Sequence, residues 1–527
     1  MFKEKGLAGN LVQTLDERLV RAEGLEPPQL SSLEPKSSAS TNSATPADSI
    51  MSDGSQQKKY PFGSQGRPIN RDWTYPVENG PHPAMANRIF HPDRRELMAG
   101  LGAAMVGPAL PSIAAAEARP ALALQARADA IALRPGLSDT PIWSLGAATP
   151  NALCFKRGDA PDVRLANDTT APVALNWHGI DGAAAAEPLL GQAALPAQGK
   201  QSLAIPFTIP LRHAGTFMCD LRLLGDGEGR PSAARALIVA ENEPIAVDRD
   251  EILLLEDWRL RPDGTAIAPG GDRDGTVPVY TVNRQRALDI PARLHERLRI
   301  RFINGLQRNV IAIKIEDHDV QVMALDGQPS EPFPARNGAL VLAPGGRVDA
   351  FIDAAMAPGA VSSILLHDGT EARPIARLVG SREPPVRAAP LAAAPPLPSN
   401  GLPERLDLKS ALRIELPLSG SQAGWVVPST LAASAAPAFK AKAGRIVVLA
   451  LINPSGKAIV FHLHGHHFRL LDRLDDGWKP FWLDTLAVEA GQTQRIAFAA
   501  DSPGRWLLEA MAADWAAPRL LRWYAVE

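Results

Sequence analysis

Four of the chain's 11 histidines fall within six consecutive positions, in the run Phe461-His462-Leu463-His464-Gly465-His466-His467-Phe468. Apolar stretches flank it, from Ile446 to Ile452 and from Phe468 to Leu471, so the run reads as a strand and the turn after it. Alternate residues of a strand share a face, so His462 and His464 point the same way. Two imidazoles side by side on one face are a metal-ligand arrangement.

Other short signatures occur along the chain: Asn176-Trp177-His178-Gly179, Gly215-Thr216-Phe217-Met218-Cys219-Asp220-Leu221-Arg222, and Ala500-Asp501-Ser502-Pro503-Gly504-Arg505-Trp506-Leu507-Leu508-Glu509-Ala510-Met511. Between them lie Leu298 to Asn304 and Ala324-Leu325-Asp326-Gly327-Gln328-Pro329. With the histidine run, and in this order, these segments resemble the motifs of the multicopper oxidases, the laccase-like family. That family usually writes them H-W-H-G, G-T-x-W-Y-H-S-H, H-P-x-H-L-H-G-H and A-D-N-P-G-x-W-x-x-H-C-H. The resemblance implies an all-β fold of three cupredoxin-like Greek-key β-sandwich domains.

For chemistry, the same resemblance implies loss. The family's blue copper is held by a Cys, two His and a weak axial residue. These positions fall on Ala510, Ile459, Trp515 and Leu520, none of which ligates copper strongly, and a small apolar cluster is expected there instead. Of the histidines that hold the family's three-copper cluster, His178, His462 and His464 remain as candidate metal residues. The others fall on Asn176, Asp220, Arg222, Glu509 and Met511. The two ligand sets become His464/Arg222/Glu509 and His178/Asp220/Met511. An Arg222–Glu509 ion pair and a His178–Asp220 hydrogen bond are therefore expected where cations would sit. A competing arrangement uses His178, His464, Asp220 and Glu509 for zinc, manganese or iron, and the positive charge of Arg222 weighs against it. His466 matches a position that is not a ligand and His467 has no counterpart, so both are expected to be structural or solvated.

Composition bounds the rest. With 527 residues and a net charge of −2 the chain is long enough for three domains and gives no sign of a nucleic-acid partner. Its two cysteines, Cys154 and Cys219, are no disulfide framework, and one bridge or two unpaired core thiols both stay open. Arg94-Arg95 precedes an apolar stretch from Leu97 to Ile113 and an alanine run, Ala114 to Ala118, so residues 85–118 look like a twin-arginine export signal. The stretch is too short and too rich in Gly and Ala for a spanning helix. Residues 1–84 are polar and aperiodic and read as a disordered leader, or as a mis-assigned start with translation beginning at Met85.

The first domain is expected over 121–242, the second over 244–380 and the third over 404–527, with a Pro/Ala-rich linker over 381–403. Strands are expected at Val163 to Asn167, Val173 to Trp177, Phe207 to Pro210, Leu237 to Val239, Leu298 to Asn304 and Val310 to Ile315, and a tight turn at Asp326-Gly327. His295, His318 and His367 fall on no copper position and read as structural, and Trp506, Trp515 and Trp523 as core.

The functional expectation is a multicopper-oxidase-family protein, exported to the periplasm, that acts as a binding or scaffold protein. It has no catalytic or cofactor-binding residue, needs no cofactor, and keeps no membrane span after signal cleavage. Its partner is expected to be another periplasmic protein. A copper-free cell-division protein of the same superfamily is similar in architecture, export route and absent ligands. Two alternatives stand beside this: a copper-dependent oxidoreductase of laccase type, and a module binding a single copper or other ion at His178, His462 and His464.

Overall fold

The computed structural model describes residues 120–146, 152–197, 206–224, 229–420, 424–432, 435–471 and 477–527. The leader and the twin-arginine segment lie outside these. The described chain is almost entirely strand, arranged in six sheets that fall in pairs along the sequence. The first pair joins Ala121–Ile131, Thr140–Leu145, Asp162–Asn167 and Phe207–Thr208 in one sheet, and Ala152–Lys156, Arg235–Ala240, Gly215–Leu223 and Val173–His178 in the other. The second pair is built from strands between Arg249 and Gly380, the third from strands between Leu412 and Val526. Each pair encloses its own apolar core: around Leu165, Leu175, Phe217 and Leu237 in the first, Leu253, Phe302, Ile313 and Leu366 in the second, Leu449, Phe461, Phe498 and Trp506 in the third. Two sheets facing one core is the sandwich architecture.

Most expected strands form. Asp162–Asn167 alternates buried and accessible residues as one face of a sandwich must. The strand expected over Phe207 to Pro210 is shorter, Phe207–Thr208, because Pro210 has no N–H to give a ladder. Asp326 and Gly327 both have positive φ, the geometry of a tight turn of the primed type. Residues 381–403 contain no strand, yet their end is tied down: Asn400 donates to the carbonyl of Ala214 and to Gln328. Cys154 and Cys219 are both free thiols, and Cys154 is exposed rather than in a core. No helix among the described residues is long and apolar enough to cross a membrane.

Arg297–Asn304 departs from the pattern that its alternating charges suggest. It is buried along its whole length, including Arg299 and Arg301. Each guanidinium is neutralised: Arg299 by Asp349 at 2.6 Å and Glu241 at 2.8 Å, Arg301 by Asp250 at 2.9 Å. Arg301 also donates to Thr216 of the first sandwich at 2.9 Å. The second face of this strand is closed by the first sandwich instead of water, and buried arginines there need these carboxylates.

Candidate functional site: a buried charge cluster between the first and third sandwiches

The period of two that builds the cores also builds the site. In Gly215–Leu223, Phe217, Cys219 and Leu221 enter the first core, which turns Met218, Asp220 and Arg222 to the other face. The neighbouring strand Val173–His178 pairs Asn176 with Asp220 and His178 with Met218, so Asn176 and His178 join them. In the third sandwich, Phe461, Leu463, Leu508 and Ala510 enter the core, and His462 lies opposite Glu509 on the reverse face. The two reverse faces meet. Gly465, at φ +74° with Trp506 packed against its Cα, makes the turn that returns the chain, and a Cβ there would stand 2.2 Å from the indole.

At the centre is the Arg222 guanidinium. It reaches Asp220 at 2.6 Å and Glu509 at 3.1 Å, and lies 3.4 Å from Nε2 of His178. The expected Arg222–Glu509 pair therefore forms. Glu509 is held again by Arg519 at 2.7 Å. His178 Nε2 sits 3.2 Å from Asp220 and 2.9 Å from the Asn176 amide nitrogen, so the expected His178–Asp220 contact also forms. His464 is gripped from both sides: Nδ1 is 2.8 Å from Glu187 and Nε2 3.2 Å from Glu509, the second at an angle too poor for a hydrogen bond and so a Coulombic contact. The rings of His178 and His462 lie 4.8 Å apart and those of His462 and His464 4.6 Å apart, so the three candidate metal residues are neighbours. His462 Nδ1 contacts Thr485 at 2.9 Å, and its buried Nε2 has no partner. The cleft among these residues holds about 30 Å³, room for one or two waters and far below what an organic substrate fills.

Charge states follow from these contacts. Burial drives the His178 ring toward neutrality, with its pKa lowered to about 4 in spite of Asp220. Burial lowers His462 as well. Burial is the largest influence on Asp220 and Glu509 and opposes their ionisation, but Arg222 together with Arg519 and the neighbouring histidines outweighs it, and both carboxyls stay well below the usual range. His464 goes the other way: burial disfavours its charge, yet Glu187 and Glu509 raise it to about 9. At neutral pH the cluster holds a histidinium, two guanidiniums and their carboxylates. Because the folded His464 titrates above its unfolded value of 6.5, its stabilisation is complete below pH 6.5 and is lost as pH rises through about 9. That difference is worth on the order of 3 kcal/mol. Urea midpoints of the wild type and His464→Gln should therefore differ most near pH 6 and converge above pH 9; a constant gap would mean that the ring is neutral throughout.

The positions expected to replace the blue copper are mostly apolar core. Ile459 and Ala510 are fully buried in the third core and Leu520 packs against it. Trp515 is buried as well, beneath the Arg259 guanidinium of the second sandwich at 5.6 Å. Met511 lines the cleft without a polar contact. His466 is structural, 2.7 Å from the Tyr524 hydroxyl and accepting from the Ser502 N–H. His467 is buried and ion-paired with Asp181, a partner that nothing in the sequence indicated. Glu187, at the end of the short turn Ala184–Ala186, was equally hidden.

Six sheets in three sandwiches, with histidine-bearing strands of the first and third turned toward one another, define a three-domain cupredoxin protein. Residues 247–362 and 414–527 each match a multicopper oxidase family model. A multicopper oxidase of Mycobacterium tuberculosis, MmcO, is 24% identical over 408 residues, which cover 67% of this chain and 76% of that protein. The crystal structure of Lac15 from a marine microbial metagenome superposes with a TM-score of 0.63 at 25% identity, over 78% of this chain and all of that one. A multi-copper oxidase from Pseudomonas thermotolerans shares the fold at a TM-score of 0.63 and 24% identity, over 77% of this chain and 99% of its own. The chain thus carries multicopper oxidase domains over these two segments, and its fold is that of solved multicopper oxidases.

Proposed function

We propose that this protein has given up copper redox chemistry and works in the periplasm as a binding or scaffold protein. One observation carries the reading: a guanidinium, Arg222, stands between Asp220 and Glu509 where the resemblance puts ligands of paired coppers. It carries a permanent positive charge and has no lone pair to give a metal. The donor set around it fits copper no better. His464 is enclosed by Glu187 and Glu509, and Glu509 is already held by Arg222 and Arg519, whose charges oppose a cation there. At the blue-copper positions Ile459, Ala510 and Leu520 are aliphatic, and the chain's two thiols both belong to the first sandwich. Without a thiolate at these positions, the family's entry point for an electron is missing there. A cleft with room for one or two waters leaves the outer surface as the place to act, and another periplasmic protein as the partner.

One detail favours a second reading. The buried, unpartnered Nε2 of His462 beside the His178 ring is a ready lone pair for a single ion. The decisive experiment is expression with copper supplied, followed by metal analysis, visible absorption and oxidation of a standard phenol on protein recovered from the periplasmic fraction. The expected result is protein in that fraction with no bound copper, no intense blue band and no turnover. A blue band or phenol oxidation would overturn the proposal, and one copper per chain that disappears in His462→Gln would establish the single-ion reading.

A further inference from the structure

Outside the Arg222 cluster, Asp181, His213 and His467 bring one ligand atom each within 4.8 Å of one another. We propose that these three residues form a divalent-cation site of the zinc class that clamps the first sandwich to the third. Two imidazoles and a carboxylate are a donor set for zinc, cobalt(II) or iron(II), with further positions left for water. Oδ2 of Asp181 lies 2.8 Å from Nδ1 of His467 and 3.6 Å from Nδ1 of His213. Ligand atoms around a tetrahedral zinc, with bonds of about 2.0–2.1 Å, stand roughly 3.3 Å apart. These distances bracket that value, so small side-chain adjustments seat the ion.

The surrounding hydrogen bonds orient His467 toward the triad and leave His213 Nδ1 unprotonated. His467 Nε2 faces the carbonyl oxygen of Asp326 at 3.0 Å and must donate to it. That leaves Nδ1 for the triad, the arrangement by which a backbone carbonyl orients a metal-bound histidine. Gln328 receives a hydrogen bond from Asn400 on Oε1 at 3.0 Å, which turns its amide nitrogen toward Nδ1 of His213 at 2.9 Å. His213 Nδ1 therefore accepts, and its single lone pair is held by the Gln328 amide, which must swing aside for an ion to take it. The same amide nitrogen lies 3.4 Å from His467 Nε2, a donor facing a donor and so no bond.

Without metal, a proton stands in for the cation. Burial disfavours charge on His467, but Asp181 raises it to about 9, an imidazolium locked on a carboxylate. Asp484, 3.8 Å from His467 Nε2, adds negative charge, while Arg157 and Arg212 near His213 oppose a cation. Asp181 and His213 keep some exposure, 12% of each side chain, so an ion can reach the site. The ligands sit on the loops that follow Val173–His178, precede Gly215–Leu223 and follow Ile459–Leu463, and the Asp326–Gln328 turn comes from the second sandwich. An ion here would tie all three together.

The test uses the full chain, stripped with chelator and titrated at pH 7.5 with zinc chloride, and separately with cobalt chloride for its visible spectrum. Expected are one ion per chain and a rise in the thermal midpoint. Affinity should fall at least tenfold in Asp181→Asn and in His213→Gln, whose partly exposed site tolerates the change, with folding checked by circular dichroism. His462→Gln should leave it unchanged. Absence of stoichiometric uptake by the wild type would overturn the proposal, as would uptake insensitive to both triad variants or abolished by His462→Gln alone. The last outcome would place the ion in the Arg222 cluster and bears on the single-ion reading, while the copper experiment tests the loss of redox chemistry separately.

Discussion

Arg222→Met should lower stability by about 3–5 kcal/mol, because it strands buried carboxylates without their counter-charge. Glu509 keeps Arg519 at 2.7 Å. Asp220 keeps much less, since His178 beside it is neutral and Asn176 offers only an amide hydrogen bond. The cost should therefore fall mainly on Asp220. Adding Asp220→Asn to Arg222→Met removes the orphaned charge and should restore more than half of the loss, a coupling that a double-mutant cycle reads directly. Urea unfolding followed by tryptophan fluorescence is the measurement. A loss under about 1 kcal/mol would mean that water in the cleft already solvates Asp220 and that the guanidinium is not structural.

Arg347→Met should do at least comparable damage, about 3–5 kcal/mol, by a different route. Arg347 is completely buried and holds both oxygens of Asp484, at 3.0 and 2.6 Å. It also donates to the carbonyls of Gly345, Asp326 and Thr216. One side chain of the second sandwich thus fastens onto the other two. Its removal leaves Asp484 and Asp326 close together, and Asp326 is already pushed up to about 6 by burial and by Asp484. The third sandwich should loosen as a unit. Limited proteolysis should then cut within residues 381–403 at protease concentrations that leave the wild type whole. Unchanged cleavage and an unchanged urea midpoint together would show that the junction is held by packing alone.

Much of this was legible in the sequence, and the reason differs by residue. Strands such as Asp162–Asn167 and Ile311–Ile315 announce themselves by period-two alternation, because one side meets a core and the other does not. The Arg222–Glu509 and His178–Asp220 contacts could be anticipated because the resemblance assigns those positions to shared ligand sets. What stayed hidden lies between sandwiches. Alternation at Arg299 and Arg301 suggests a wet face, and only the neighbouring sandwich makes it dry. Glu187 meets His464, and Asp181 meets His467, across nearly three hundred positions of chain. These contacts rest on loop residues with no periodicity, so no local signal marks them. Trp515 is buried, as a core reading expects, but its contact with Arg259 of the second sandwich had no local signal.

The Arg347–Asp484 pair joins residues 137 positions apart. During synthesis the second sandwich leaves the ribosome long before Asp484 exists. Until then its guanidinium has its carbonyl acceptors but not the carboxylate that neutralises it, and the face that carries it stays open. Closure of that junction is thus a late event that reports on the completeness of the whole polypeptide: a product truncated before residue 484 would keep a hydrated cationic surface where the finished molecule has none.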